Sequence, residues 1–187
     1  AASQWLVTKD DVVGRMEKTA LITSSSNRQT HQSNANGSST YPTISSGDIL
    51  TQTFYDEYSG LISDGSPFGS SRNNSNDSYL SMTSGVFPYP QELTQTNLTR
   101  GMVTGVKTKV LGSTQFLYTV NYYDVEGRII QSRSQTLDNC STTATTKYGF
   151  ASQVLIRNDE INKCGSTTQK ILTTTKVSYD DLLRQSA

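Results

Sequence analysis

Two acidic side chains, Asp124 and Glu126, stand close together in the chain, and a pair of carboxylates can serve in acid–base or glycosidic chemistry. A hydrolytic pair needs a cleft, with the two carboxyl groups about 5 to 9 Å apart across it. Here both residues fall within Tyr123-Asp-Val-Glu-Gly-Arg128, and Asp followed by Gly is typical of a tight turn. The pattern favours a solvated pair on a turn, and we expect no enzymatic activity.

The other groups that could do chemistry are few. His31 is the sole histidine and falls in the polar sequence 23–40, which predicts a flexible loop without the rigid frame that a site needs. Asp64 and Asp77 could suggest calcium, but their spacing lacks the order of acidic residues in a calcium loop. We therefore expect no metal site and no cofactor.

Cys140 and Cys164 are the only cysteines. A disulfide between them would close a loop of about 25 residues and stabilise the fold by roughly 3 kcal/mol in the chain-entropy model. Two free thiols are the alternative. Two cysteines without a neighbouring histidine do not make the usual four-ligand zinc site.

Composition favours extended structure. Of 187 residues, 33% are hydrophobic and 17% charged, and Ser, Thr, Asn and Gln make up the difference, which suits surface-rich β structure. Sixteen basic and sixteen acidic residues give no net charge, so nothing predicts binding to nucleic acid or to an anionic membrane. No apolar run is long enough for a transmembrane helix, so we expect no membrane insertion. Both ends stop in mid-pattern, and we expect a segment of a longer polypeptide.

The elements around Asp124 form a predicted hairpin. Tyr118, Val120 and Tyr122 alternate with polar residues in the period of a half-buried strand. Asp124 and Gly127 then mark a turn, because Asp bonds the backbone two residues on and Gly accepts a positive φ. The extended pattern resumes after the turn.

The same signature recurs along the chain. Asp11-Val-Val-Gly-Arg15 has the same spacing, and Tyr55-Asp56 has the first two residues without the following Gly-Arg. A decayed copy begins at Tyr148, and in another at Tyr179 a leucine replaces Gly. The predicted repeat-signature residues, all structural, are Asp11, Gly14, Arg15, Tyr55, Asp56, Tyr123, Asp124, Gly127, Arg128, Tyr148, Tyr179, Asp180 and Arg184. A hairpin recurring in this way predicts a repeat architecture whose units stack on one another.

With the blocks 47–56, 101–112 and 118–131, these signatures resemble the Rhs/YD-repeat proteins, and the wider context is similar to Rhs-type proteins of Bacteroidota. The resemblance covers most of residues 1–187 outside polar insertions at about 23–46 and 59–98. It implies an all-β fold, in which an array of antiparallel β-hairpin YD repeats forms a continuous twisted sheet within a hollow shell.

The resemblance also implies a function. Family members are large secreted or cell-surface proteins, many of them polymorphic toxins whose shell encloses a C-terminal effector domain, and in Bacteroidota often exported by type IX secretion. The implied partners are the remainder of the same polypeptide and secretion-system components. The family's self-cleavage region uses aspartates in an Asp-Pro-rich context; this chain has no Asp-Pro dipeptide, so we expect no proteolytic activity.

An alternative function is a surface adhesin, or a module that binds glycan or protein through the aromatic-rich loop 59–92. Its candidate residues are Phe68, Tyr79, Phe87 and Tyr89. Exposure of these rings around a groove would favour binding, and burial against the sheet would argue against it. The repeat hypothesis instead expects Asp11, Asp124 and Asp180 to occupy equivalent turns.

Overall fold

Strands dominate the computed structural model, which describes residues 2–38, 40–164 and 167–186. The strands are β1 (Ser3–Asp10), β2 (Met16–Ser24), β3 (Ile49–Tyr55), β4 (Val103–Lys109), β5 (Phe116–Tyr123), β6 (Ile129–Gln135), β7 (Ser141–Tyr148), β8 (Val154–Lys163) and β9 (Gln169–Lys176). The α-helices are α1 (Arg28–Gly37) and α2 (Ser59–Ser63), and single 3-10 turns span Ser46–Asp48 and Asp77–Leu80.

The chain divides into two compact units, the first formed by Ala1–Thr53 with Val106–Phe116 and the second by Phe54–Gly105 with Leu117–Ala187. In the first unit, β1 pairs with β2 and β2 with β3, all antiparallel. In the second, β5 to β9 form an open antiparallel sheet in which each strand pairs with the next along the chain. The prediction of an antiparallel all-β fold is confirmed at this level.

The prediction of a flexible loop over 23–40 was wrong. Strand β2 continues to Ser24, and α1 follows, capped by the Asn27 side chain, which accepts a hydrogen bond from the Thr30 amide at 2.9 Å. His31 holds the helix in place, because its ring lies 4.6 Å from that of Trp5 and its Nδ1 lies 2.6 Å from the Tyr41 hydroxyl. A polar helix can therefore be ordered by its cap and one aromatic contact.

The polar insertion in the second unit also has more structure than its composition predicts. Leu61, Phe68 and Leu80 are all buried, and Leu80 packs with Leu155 and Ile156 of β8. The sparse apolar residues of the insertion thus supply a large part of the core on one face of the β5–β9 sheet. We call this face, which carries Tyr122 and the residues paired in register with it, the covered face.

Candidate functional site

The predicted signature turns share one backbone geometry. In residues 124–128, the Asp124 amide donates to the Arg128 carbonyl at 3.0 Å and the Gly127 amide donates to the Asp124 carbonyl at 3.1 Å. Gly127, in the fourth position, has φ of 78°, a conformation that glycine adopts at little cost. Residues 11–15 and 180–184 repeat both bonds, and their fourth residues also have positive φ.

The aspartate closes each of these three turns with the same side-chain contacts. Oδ1 of Asp124 accepts from the amides of Glu126 and Arg128 at 3.1 and 2.9 Å, and Oδ2 accepts from Arg128 Nε at 2.6 Å. The equivalent Oδ2–Nε distance is 2.7 Å both at Asp11 and at Asp180. The hydrogen bond from the arginine backbone amide is the largest cause of a lowered pKa at both Asp11 and Asp180. Together with the other bonds to the carboxylate it outweighs desolvation, so the pKa of each lies below its ordinary value.

Arg128 lies between the two carboxylates that a catalytic interpretation would require. Its Nη2 lies 2.9 Å from Glu126 Oε2, while its Nε bonds Asp124. Its Nη1 reaches the next signature turn, donating to the Gly149 carbonyl at 3.3 Å and to Ser152 Oγ at 3.2 Å. The two carboxylates share one guanidinium on a turn, an arrangement suited to holding neighbouring turns together.

Two further turns have this backbone geometry without the aspartate. Residues 149–153, the decayed copy predicted after Tyr148, keep both backbone bonds, with Ser152 at φ 63°. Residues 136–140 also keep both, with Asn139 at φ 59°. Sequence reasoning missed the second, although Asn is one of the few non-glycine residues that accept positive φ readily.

In three of the signature turns, the tyrosine that precedes the turn has a recurring partner. Tyr148 Oη donates to the Ile129 carbonyl at 3.0 Å, and Ile129 directly follows the fifth residue of the preceding signature turn. Tyr179 Oη donates in the same way to Val154, after Gln153, at 3.0 Å. Tyr123 Oη donates to Val103 at 2.6 Å. The hydroxyl of each tyrosine thus ties one hairpin to the one before it.

Tyr123 bonds Val103, and the residue before Val103 belongs to a signature turn whose two halves lie far apart in the sequence. The Asp56 amide donates to the Met102 carbonyl at 3.0 Å, and Asp56 Oδ1 accepts from the Gly101 amide at 2.6 Å. Gly101 has φ of 84°, so it takes the glycine position that sequence analysis found missing after Tyr55-Asp56. Residues 57–101 are therefore inserted inside a signature turn, and Asp56 and Met102 still close it.

Polar side chains of the sheet hold the inserted segment on the covered face. Gln131 is fully buried and makes two bonds of 2.7 Å with the backbone amide and carbonyl of Asn73. Tyr118 Oη donates to the Asp64 carbonyl and Tyr122 Oη to the Gly69 carbonyl, each at 2.8 Å. Sequence reasoning missed Gln131, because its place in a strand did not distinguish a buried glutamine from a solvated one.

Glu160 on β8 forms a second attachment of the insertion. Its carboxylate lies 2.8 Å from Lys170 Nζ, accepts from Asn162 at 2.6 Å, and accepts a further bond from Asn76 of the insertion. Burial acts to raise the pKa of Glu160, but the bonds from Lys170, Asn162 and Asn76 outweigh it and hold this pKa below its ordinary range.

The four aromatic residues proposed as a binding loop do not form one cluster of exposed rings. Phe68 is buried, and the Arg133 guanidinium lies 4.6 Å from its ring centroid. Tyr79 is exposed on a 3-10 turn. Phe87 and Tyr89 make an edge-on pair, 6.2 Å between centroids, and both expose part of their rings. The prediction that Phe68 belongs to an exposed binding surface was wrong, because this ring packs against the sheet.

The remaining candidate residues have structural partners. Asp64 accepts from the Tyr118 hydroxyl, and Asp77 makes a two-bond ion pair with Arg72 at 2.8 and 2.6 Å. Among the residues described, no group of three or more His, Cys, Asp or Glu side chains is placed to hold a metal ion. Cys140 and Cys164 form a disulfide, one of the two alternatives left open by the sequence.

Comparison with known proteins identifies no relative: no family model, no curated protein and no solved structure matches this chain. Within the described ranges, no helix has the length and apolar character needed to cross a bilayer. The features that bear on function are therefore the geometry of the turns, the inserted segment and the faces of the sheet.

Proposed function

We propose that this chain is a non-catalytic structural segment of a secreted or cell-surface protein of the Rhs/YD-repeat type. In this proposal the hairpins form part of a hollow β-shell that encloses or displays a C-terminal effector domain such as a toxin. Its partners are the neighbouring repeats and effector of its own polypeptide, together with the components of a secretion system.

One observation carries this proposal: the same tyrosine hydroxyl bond joins successive hairpins three times, from Tyr123, Tyr148 and Tyr179. Each hairpin therefore depends on the hairpin before it. That dependence is typical of repeat arrays, in which a unit buries its surface against its neighbours. The aspartate, glycine and arginine of the signature all serve the turns, which favours a scaffold over an enzyme.

The disulfide gives independent support for export. Disulfides persist in secreted and surface proteins and are rare in reducing compartments. Cys140 belongs to the turn before β7 and Cys164 follows β8, with a Cα–Cα distance of 5.5 Å. This bond ties together two connections of the same sheet, as expected for a scaffold that functions outside the cytosol.

Protease protection tests the proposal on the intact polypeptide to which these residues belong. We expect its C-terminal domain to be cleaved far more slowly inside the intact protein than as an isolated domain, because a shell excludes the protease. Mass spectrometry of the fragments would follow both reactions. Equal cleavage rates for the domain inside the intact protein and for the isolated domain would contradict the proposal of an enclosing shell.

A second candidate function, surface adhesion, is favoured by one specific observation. Phe87 and Tyr89 project an exposed edge-on ring pair from backbone anchored to a signature turn, where the Phe150 amide donates to the Tyr89 carbonyl at 3.0 Å. Exposed aromatic rings on a fixed backbone suit stacking against sugars or side chains. Loss of cell or glycan binding in Tyr89→Ala, with Tyr79→Ala as the comparison, would support adhesion, and unchanged binding in both would remove it.

A further inference from the structure

Lys147 is a largely buried lysine whose ammonium group has no polar partner among the described residues. It is 7% exposed and lies on the covered face of β7, directly opposite Ile156 of β8. Among the described residues, none gives its ammonium group a hydrogen bond, an ion pair or an aromatic contact. The ammonium group itself is not fully enclosed, so it can meet a ligand from solvent.

A hollow of about 330 Å³ opens beside this lysine, within the second unit. Three of the residues that line it carry hydroxyl groups, namely Ser78, Ser81 and Thr94. Glu92 also lines the hollow; this residue is exposed, and its carboxylate has no partner among the described residues. The lining of the hollow therefore includes a cation, three hydroxyl-bearing residues and a carboxylate acceptor.

The other two charges of the lining neutralise each other. Arg72 donates from Nη1 and Nη2 to the two carboxylate oxygens of Asp77, at 2.8 and 2.6 Å. Lys147 and Glu92 remain as the charges available to a ligand. One cation is left to pair with a ligand, so a singly charged anion matches the hollow better than a multiply charged one such as phosphate.

We infer that this hollow binds a small hydroxylated carboxylate, with a hexuronic acid as the representative of the class. The ligand carboxylate pairs with Lys147 through a charge-assisted hydrogen bond. Ligand hydroxyl groups, which both donate and accept, bond the serine and threonine hydroxyls of the lining and donate to Glu92. The inference stands on the insertion and the sheet, and it is independent of the proposed shell.

Calorimetric titration of the protein with D-glucuronate tests this site. We expect binding that weakens about tenfold or more in Lys147→Met, because the charge-assisted bond is lost. Lys163→Met, which removes an exposed lysine outside the hollow, is the matched control and should bind as the original protein does. Equal affinity of the Lys147→Met variant and the original protein would overturn the inference.

Titrations with acetate and with D-glucose separate the contribution of the ligand carboxylate from that of the ligand hydroxyl groups. We expect each to bind more weakly than glucuronate, because each offers only one kind of contact. Acetate that binds as tightly as glucuronate would overturn the role of the hydroxyls. Backbone amide resonances of Ser78 and Ser81 should shift on titration, and resonances that do not move at saturating glucuronate would overturn the location. Circular dichroism of Lys147→Met establishes that the variant is folded.

Discussion

The guanidinium carbon of Arg128 lies 4.9 Å from the ring centroid of Tyr148, and the hydroxyl of this tyrosine bonds the residue that follows Arg128. The two residues belong to successive signature turns. Arg128 also bonds the backbone of the turn that follows Tyr148. This pair can thus set the spacing between two successive hairpins, and the relationship gives the first prediction.

Arg128→Ala should lower the free energy of unfolding by about 2 to 3 kcal/mol, since the buried carboxylate of Asp124 loses its ion-pair partner and keeps only its two backbone amide bonds. The matched control is Arg184→Ala, whose side chain is 72% exposed and whose loss should change stability little. Urea denaturation followed by circular dichroism measures both. Equal losses would show that the contacts to the next turn contribute nothing.

Removal of a single hydroxyl should show how much the hydrogen bonds from the tyrosine hydroxyls contribute to the free energy of unfolding. Tyr123→Phe leaves the Val103 carbonyl without its bond of 2.6 Å and should cost about 1 to 2 kcal/mol of unfolding free energy. Tyr89→Phe removes a hydroxyl for which the described residues provide no bond, and we expect almost no change. Chemical denaturation of the two variants side by side measures the difference. An unchanged free energy of unfolding in Tyr123→Phe would contradict a stabilising role for this hydrogen bond.

Position 105 requires glycine, because neighbouring atoms leave no room for a side chain. A Cβ at this position would lie 1.8 Å from Leu61 Cδ1 and 2.9 Å from the Thr119 carbonyl oxygen. Gly105→Ala should therefore destabilise the protein by about 2 to 4 kcal/mol, through displacement of Leu61 from the core. Gly69→Ala meets no atom within 4 Å and is the control in the same thermal melts. Similar melting temperatures for the two variants would contradict the close contact.

Acid should weaken the attachment of the inserted segment at Glu160. The folded-state pKa of this carboxyl lies below its ordinary value of 4.5. Its contribution is therefore complete above that pH, and it is lost as the pH falls through the lower folded-state pKa. Stability measured by urea denaturation from pH 6 to about pH 2 should fall less steeply in Glu160→Gln than in the original protein. Parallel profiles would exclude Glu160 as a source of acid sensitivity.

Reduction of the disulfide should destabilise the second unit. The bond joins residues 24 positions apart, and a loop of that size predicts a loss of roughly 3 kcal/mol. The double variant Cys140→Ser with Cys164→Ser should unfold at a lower urea concentration and be insensitive to dithiothreitol. A dithiothreitol effect that persisted in this variant would point to another cause.

Local patterns predicted the strands and the signature turns well. Period-2 alternation located β5, and the spacing of Asp11 to Arg15 located a turn now seen to share its bonds with that of Asp124. Such features are determined within a few residues, by side-chain period and by the freedom of glycine at positive φ. Turn 136–140 escaped notice because threonine replaces aspartate there, although Asn139 carried the signal.

The inserted segment and the candidate hollow could not be predicted in the same way. The role of Gln131 depends on the backbone of Asn73, 58 residues away in the chain. Lys147 alternates along β7 like any solvated lysine, and the residues of the insertion that line the hollow beside it are distant in the chain. Helix α1 was missed because its stability depends on a cap and on the contact between His31 and Trp5, rather than on an apolar face.

Asp56 and Met102 close one turn although 45 residues lie between them. The geometry of the turn is therefore independent of the length of the sequence that it connects. Backbone spacing at the turn is held constant, while the length of sequence that leaves and returns there is free to vary. Such a turn is a permissive insertion point, at which evolution or a protein engineer can add or exchange a domain without altering the register of the strands on either side. Modular growth of this kind requires only that the returning chain supply a glycine and a carbonyl oxygen in the right places.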